Sequence, residues 1–217
     1  MDRVPDVSRR RFFQLAGGIA GAGLILSAAS CRRSPDSSVY VGEGDIGLLN
    51  YLYIVKTVTA AFWIQAATTE YTIINKSEHD LQSDIRDQEI AHREFLKKLL
   101  GKYAVSGVVT ELSPVTFADK KSFLTNAIFL EDLTVAAYSG TLKLFKDKEY
   151  ISYIAKMASV DARHASYVRH VLAPNTFGDT TVIDSNGLNV AIAPLMGLNT
   201  IGKYLQTKFD SSKLPTY

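Results

Sequence analysis

From Ile46 to about Tyr71 the chain has no proline and, after Gly47, no glycine. Leu49, Leu52, Tyr53, Lys56, Thr59, Ala60 and Trp63 recur there on one face at helical spacing. Valine, isoleucine and threonine are frequent, but an unbroken run of this length is too long for a strand. The pattern predicts a first long helix. Ser77-Glu78-His79-Asp80 then has the spacing of a capping box. Leu81, Ile85, Glu89, His92, Leu96 and Leu99 follow at steps of 4-4-3-4-3, and Gly101 supplies a stop. This second helix carries Asp84, Arg86, Asp87, Arg93 and Lys97 on its outer face. Residues 102–115 hold Gly107 and Pro114 and read as a connection long enough to run along a bundle.

A third helix is predicted over about 118–145, with Phe123, Ala127, Leu130, Glu131, Thr134 and Tyr138 inward and Gly140 as a point of kinking or thinning. After the charged step Lys146-Asp147-Lys148-Glu149, Ile154, Ala158, Asp161, Ala165, Val168 and Leu172 repeat at 4-3-4-3-4 and Pro174 closes the pattern. The fourth helix is therefore placed over 150–172. Residues 173–217 form a C-terminal extension that wraps the bundle, with one short helix over about 195–209. The whole predicts an all-α four-helix bundle over 46–172, with its long connection between the second and third helices.

Composition narrows the function classes. The 217 residues are 47% hydrophobic and 21% charged, which suits one globular domain with appendages. Lys+Arg is 24 and Asp+Glu is 22. Residues 1–30 hold four arginines and two acids, leaving 24 − 4 = 20 bases against 22 − 2 = 20 acids. A neutral body carries no electrostatic footprint for nucleic acid. The single cysteine excludes an intramolecular disulfide and any cysteine-built zinc or iron–sulfur site.

Residues 8–14 read Ser-Arg9-Arg10-Arg-Phe-Phe-Gln and precede an apolar run, Leu15 to Ser30. A basic start and an apolar core make an export signal over 1–31. The run is too short and too glycine-rich for a comfortable membrane span, which needs about 20 apolar residues. Arg9 and Arg10 before the two phenylalanines resemble a twin-arginine translocation signal, whose pathway carries folded proteins. Cys31, after Leu26-Ser-Ala-Ala-Ser30, resembles the cysteine of a bacterial lipoprotein signal, which is lipidated and becomes the mature N-terminus. Two readings are open: a lipidated Cys31, or an uncleaved signal that anchors. Either makes the membrane the expected partner, and both place the protein in the periplasm or at the cell envelope. Residues 32–45 are polar, with Pro35 and two glycines, Gly42 and Gly44, and read as a tether.

The chemistry lies on the apolar stripes. Glu89-Ile-Ala-His92 and Asp161-Ala-Arg-His164 each pair a carboxylate with a histidine at i, i+3, about 60° apart on one helix face. Glu131 sits mid-stripe on the third helix. Converging buried carboxylates repel and are costly to desolvate, so something positive belongs between them. Imidazole with carboxylate suits iron, manganese or zinc.

Residues 48–172 resemble the ferritin-like superfamily, and within it an exported bacterial branch, some members of which are called desiccation-related. The likeness is carried by Leu49-Asn50-Tyr51, Phe62-Trp63, Phe129-Leu-Glu131-Asp-Leu-Thr-Val-Ala-Ala-Tyr138-Ser-Gly140 and Val160-Asp161-Ala-Arg-His164. The resemblance implies two metals at the bundle centre, with one glutamate from each of the first and third helices and Glu-x-x-His from the second and fourth. This sequence departs twice. Lys56 stands where the first helix should supply its glutamate, and Asp161 replaces a glutamate. The ligand set that remains is Glu89, His92, Glu131, Asp161 and His164, with Lys56 beside it and Glu89 or Glu131 as its expected partners. The expected cofactor is one iron or manganese ion, zinc fitting less well, or none. Three functions follow: a metal-binding ferritin-like protein, a metal-free structural bundle, or a di-iron or di-manganese oxidoreductase.

Overall fold

The computed structural model describes residues 38–69 and 75–217. Arg9, Arg10, Cys31 and the rest of the export signal lie outside them, as do residues 32–37 of the tether. Four helices make the bundle: α1 (Gly44–Thr68), α2 (Lys76–Leu100), α3 (Lys120–Leu142) and α4 (Lys148–Leu172). A short α5 (Pro194–Ile201) follows in the C-terminal extension. The helix α1 packs along α2 and α3 along α4, and the two pairs meet where α1 faces α3.

The helix starts are set by caps. The side chain of Asn75 accepts from Glu78 N at 2.9 Å, so α2 begins at Lys76 and the box expected at Ser77 is not its start. Asparagine caps as strongly as serine and lies earlier, so the helix begins there. Asp119 accepts from Ser122 N at 2.7 Å and opens α3. Asp147 accepts from Glu149 N at 2.8 Å and opens α4 two residues before the expected start. The third helix stops at Leu142, short of the expected Phe145.

The expected inward stripe of α1 is buried throughout, and so is most of the rest of the helix. By length and composition α1 is apolar enough to cross a membrane, yet 83% of its most apolar window is buried inside the bundle. A helix that is apolar all round belongs in a core. Its outer side is covered by the α2–α3 crossover and the C-terminal extension. These two segments also hold each other: Thr110 bridges Leu205, Glu111 N donates to Tyr204 O at 2.8 Å, and Gln206 N donates to Val109 O at 2.9 Å.

Two expectations for the chain ends are corrected. The tether placed over 32–45 is folded from Ser38 onward. Val39–Tyr40 (β1) pairs in parallel with Phe209–Asp210 (β2), and Val41 is fully buried. The C-terminal helix expected over 195–209 stops at Ile201. A 3-10 turn, Gly202–Tyr204, follows, and the chain then extends because its backbone groups pair with the crossover and with β1.

Gly140 does not break α3. It is the point where the extension crosses. Ile192 N donates to Ala136 O at 3.1 Å, and a Cβ on Gly140 would lie 1.9 Å from Ile192 O. Alanine at an ordinary mid-helix glycine stabilises by about 1 kcal/mol. Here the sign reverses: Gly140→Ala should destabilise by about 1–3 kcal/mol in urea unfolding and make residues 173–193 more open to protease.

Candidate metal centre

Each bundle helix delivers one charged side chain from near its midpoint: Lys56 from α1, Glu89 from α2, Glu131 from α3 and Asp161 from α4. All four are fully buried. His92 and His164 follow their carboxylates by three residues, on the same face of α2 and α4, and are almost as buried. The structure therefore brings together all six residues singled out in the sequence. Glu89, Glu131 and His164 can offer ligand atoms within 4.8 Å of one another, and so can Glu89, His92 and Asp161.

The Lys56 side chain points into the centre. Its Nζ donates to Glu89 Oε2 and, at 2.8 Å, to Asp161 Oδ2. Glu89 was an expected partner, but Asp161 takes the place expected for Glu131. The reason is Trp63, two helical turns beyond Lys56, whose indole Nε1 donates to Glu131 Oε1 at 2.6 Å. That bond leaves Oε2 as the free oxygen of Glu131.

The oxygens are thereby divided. Glu89 Oε2, Asp161 Oδ2 and Glu131 Oε1 have protein donors. Glu89 Oε1, Asp161 Oδ1, Glu131 Oε2, His92 Nδ1 and His164 Nδ1 are buried and have no hydrogen-bond partner among the described residues. His164 Nδ1 lies 3.3 Å from Glu89 Oε1, 3.7 Å from Asp161 Oδ1 and 3.9 Å from Glu131 Oε2. His92 Nδ1 is 3.0 Å from Asp161 Oδ1 but off the line of an N–H···O bond. Buried polar atoms seldom go unpaired, and five from five residues in one place fit a cation that takes them as ligands.

Burial alone pushes the Asp161 carboxyl up, but Lys56, His92 and His164 outweigh it and hold it far below the usual range. Burial pushes the Lys56 amine down, and the surrounding carboxylates more than reverse that, so the ammonium keeps its proton. Glu131 behaves otherwise. Burial and the neighbouring Glu89 push its carboxyl well up, and Lys56 and Trp63 only partly oppose them.

Three contributors were not foreseen from the sequence as site residues. Trp63 and Tyr138 lie on stripes read only as core. The Tyr138 hydroxyl is buried and unpartnered, and burial, Asp161 and Glu89 push its ionisation well up, so it stays a neutral phenol. Gln88 gave no signal, because it precedes Glu89 on a different face of the helix. Its Oε1 lies 3.1 Å from His164 Nε2. An amide oxygen can only accept, so Nε2 carries a proton toward Gln88 and Nδ1 is left as the nitrogen that a metal ion would take. Gln88→Leu should weaken metal binding by about tenfold in a competitive chelator titration, while Gln88→Glu should retain it.

A model of the ferritin-like domain matches residues 44–174, which is more than half of the chain. No curated protein matches the chain. The matched residues span the four bundle helices and every charged and imidazole group at their centre, and the chain belongs to the ferritin-like domain family.

Proposed function

We propose that this is an exported ferritin-like protein that holds one iron or manganese ion, with the Lys56 ammonium in place of a second. The observation that carries the reading is the charge at the bundle centre. Once Glu131 has released the proton that burial favours and both imidazoles are neutral, which is the state able to take up a metal, Glu89, Glu131 and Asp161 bring three negative charges and Lys56 one positive, a balance of 1 − 3 = −2. One divalent ion neutralises that balance, and two would leave it positive. Glu89 Oε1, Glu131 Oε2 and His164 Nδ1 would hold the ion, with Asp161 Oδ1 as the further oxygen and His92 as a weaker contributor. A set of mostly carboxylate oxygens suits iron or manganese better than zinc. Such an ion supplies redox chemistry when bound. The chain's own part is to bind it, orient its ligands through Gln88 and Trp63, and exclude water.

A second reading is a metal-free structural bundle, favoured by the two ion pairs of Lys56, which tie α1 to α2 and α4 without any ion. A di-iron or di-manganese oxidoreductase requires a ligand where Lys56 stands. Export is supported by Arg9, Arg10 and the apolar run after them. Anchoring at the cell envelope is supported by Cys31, through lipidation, or by the same run left uncleaved.

Elemental analysis of protein purified from its native compartment should find about one metal per chain. Lys56→Glu should raise this toward two. His164→Ala should abolish binding, and His92→Ala should weaken it less. Two metals in the unmodified protein would contradict the reading, and none would select the structural bundle. For localisation, replacing Arg9 and Arg10 together by lysine should stop export, as read by cell fractionation. Cys31→Ala should move the protein out of the membrane fraction, and its retention there would indicate an uncleaved anchor.

A further inference from the structure

The two ends of the bundle differ. At one end α1 and α4 begin and α2 and α3 finish. Asn50 Nδ2 donates there to both Val41 O and Tyr103 O at 2.9 Å. The Asp45 carboxylate accepts from Lys146 N and Asp147 N at 2.9 Å. Lys143 Nζ lies 3.4 Å from the centre of the Tyr217 ring. These contacts gather Tyr40, Tyr103 and Tyr217, which are 50%, 58% and 54% exposed and are the exposed tyrosines among the described residues. Around them stand Lys97, Lys98, Lys102, Lys143, Lys146 and Lys148, all exposed. The acids nearby are Glu43, Asp45, Asp147, Glu149 and Asp210, and three of these, Asp45, Asp147 and Asp210, point their carboxylates at backbone N–H groups. The opposite end carries Glu78, Asp80, Asp84 and Asp119 against Lys76, Lys120 and Lys121.

We propose that the tyrosine and lysine end docks on an anionic bilayer surface. The proposal rests on the envelope-anchored reading above and adds which face meets the lipid. Tyrosine, with an apolar ring and a polar tip, suits the head-group layer. Lysines spaced between such rings attract acidic lipids without forming the contiguous apolar patch of a protein interface. The described fold begins at Ser38, seven residues after Cys31. Seven residues reach at most about 25 Å. The strand that carries Tyr40 is therefore a short stretch of chain from Cys31.

The test uses the full chain reconstituted in vesicles of brominated phosphatidylglycerol or brominated phosphatidylcholine. Tyr103→Trp reports the docking end, Phe177→Trp reports the end of the bundle where α4 finishes, and the buried Trp63 gives the background. Tyr103→Trp should be quenched in phosphatidylglycerol vesicles, and Phe177→Trp should not. The difference should fall more than about twofold in about 0.5 M salt. It should fall likewise when Lys102, Lys143, Lys146 and Lys148 are all changed to glutamate, with helicity by circular dichroism unchanged. Protein that floats with the vesicles but shows equal quenching at both positions overturns the docking and leaves the anchor standing. Quenching as strong on phosphatidylcholine overturns the anionic preference. Protein that does not float overturns the anchor reading itself. A dimer in sedimentation that the four-lysine variant abolishes, without quenching, makes this end an interface between copies of the chain.

Discussion

Three carboxylates at the middle of a helical bundle cannot stand without positive charge. Removing one ionised carboxylate from water is expensive, and three within a few ångströms also repel one another. Glu89, Glu131 and Asp161 come from three different helices, so their mutual repulsion acts across the α2–α3–α4 packing. Lys56 reaches from the remaining helix, α1, and bonds two of them. Trp63 donates to the third. The centre is thus a network in which every helix supplies a member, and removing one partner of a buried ion pair typically costs about 3–5 kcal/mol. The crossover and the extension cover the outer side of α1, so that helix is buried nearly all round.

The network also decides which atoms remain available. Lys56 engages one oxygen of Glu89 and one of Asp161, and Trp63 engages one of Glu131. Each carboxylate keeps a second oxygen: those of Glu89 and Glu131 face His164, and that of Asp161 faces both imidazoles. A shorter side chain at position 161 fits this division. Asp161 holds its Oδ2 at 2.8 Å from the ammonium while its Oδ1 stays within 3.0 Å of His92 Nδ1. The substitution of aspartate for glutamate and the presence of lysine are then one structural adjustment rather than two separate departures from the family pattern.

Much of this was legible in the sequence. The six central residues were identifiable because each falls on a 3.6-residue stripe, and burial of Lys56 followed from Leu52, Tyr53, Ala60 and Trp63 around it. What was not legible depends on contacts between distant segments. Of the two partners expected for Lys56, Glu89 is found and Glu131 is not, because the hold of Trp63 on Glu131 crosses from α1 to α3. Gln88 was missed because its bond to His164 spans α2 and α4. Gly140 looked like a weak point of a helix, whereas the close passage of Ile192 explains it, and no local pattern announces a backbone crossing. The start of α2 at Asn75 was missed for a smaller reason: two adequate caps lie within three residues, and propensity does not rank them.

Lys56 also changes what the bundle must survive before a metal arrives. With glutamate at position 56 the centre would hold four carboxylates and a balance of −4. With lysine the fully ionised balance is only −2, two of the three acids are already paired, and burial favours the protonated form of the third, Glu131. The metal-free fold is therefore less strained here than in a bundle with two empty cation positions. That matters for a chain that we propose crosses a membrane already folded, because its core must be dry and closed at the moment of transport whether or not an ion has been loaded. The exchange costs metal capacity and gains stability of the unloaded state. A bundle that buries its own cation on α1 can still bind one ion through the oxygens that Lys56 and Trp63 leave free. The same lysine can thus limit the stoichiometry and keep the protein folded before the ion is bound.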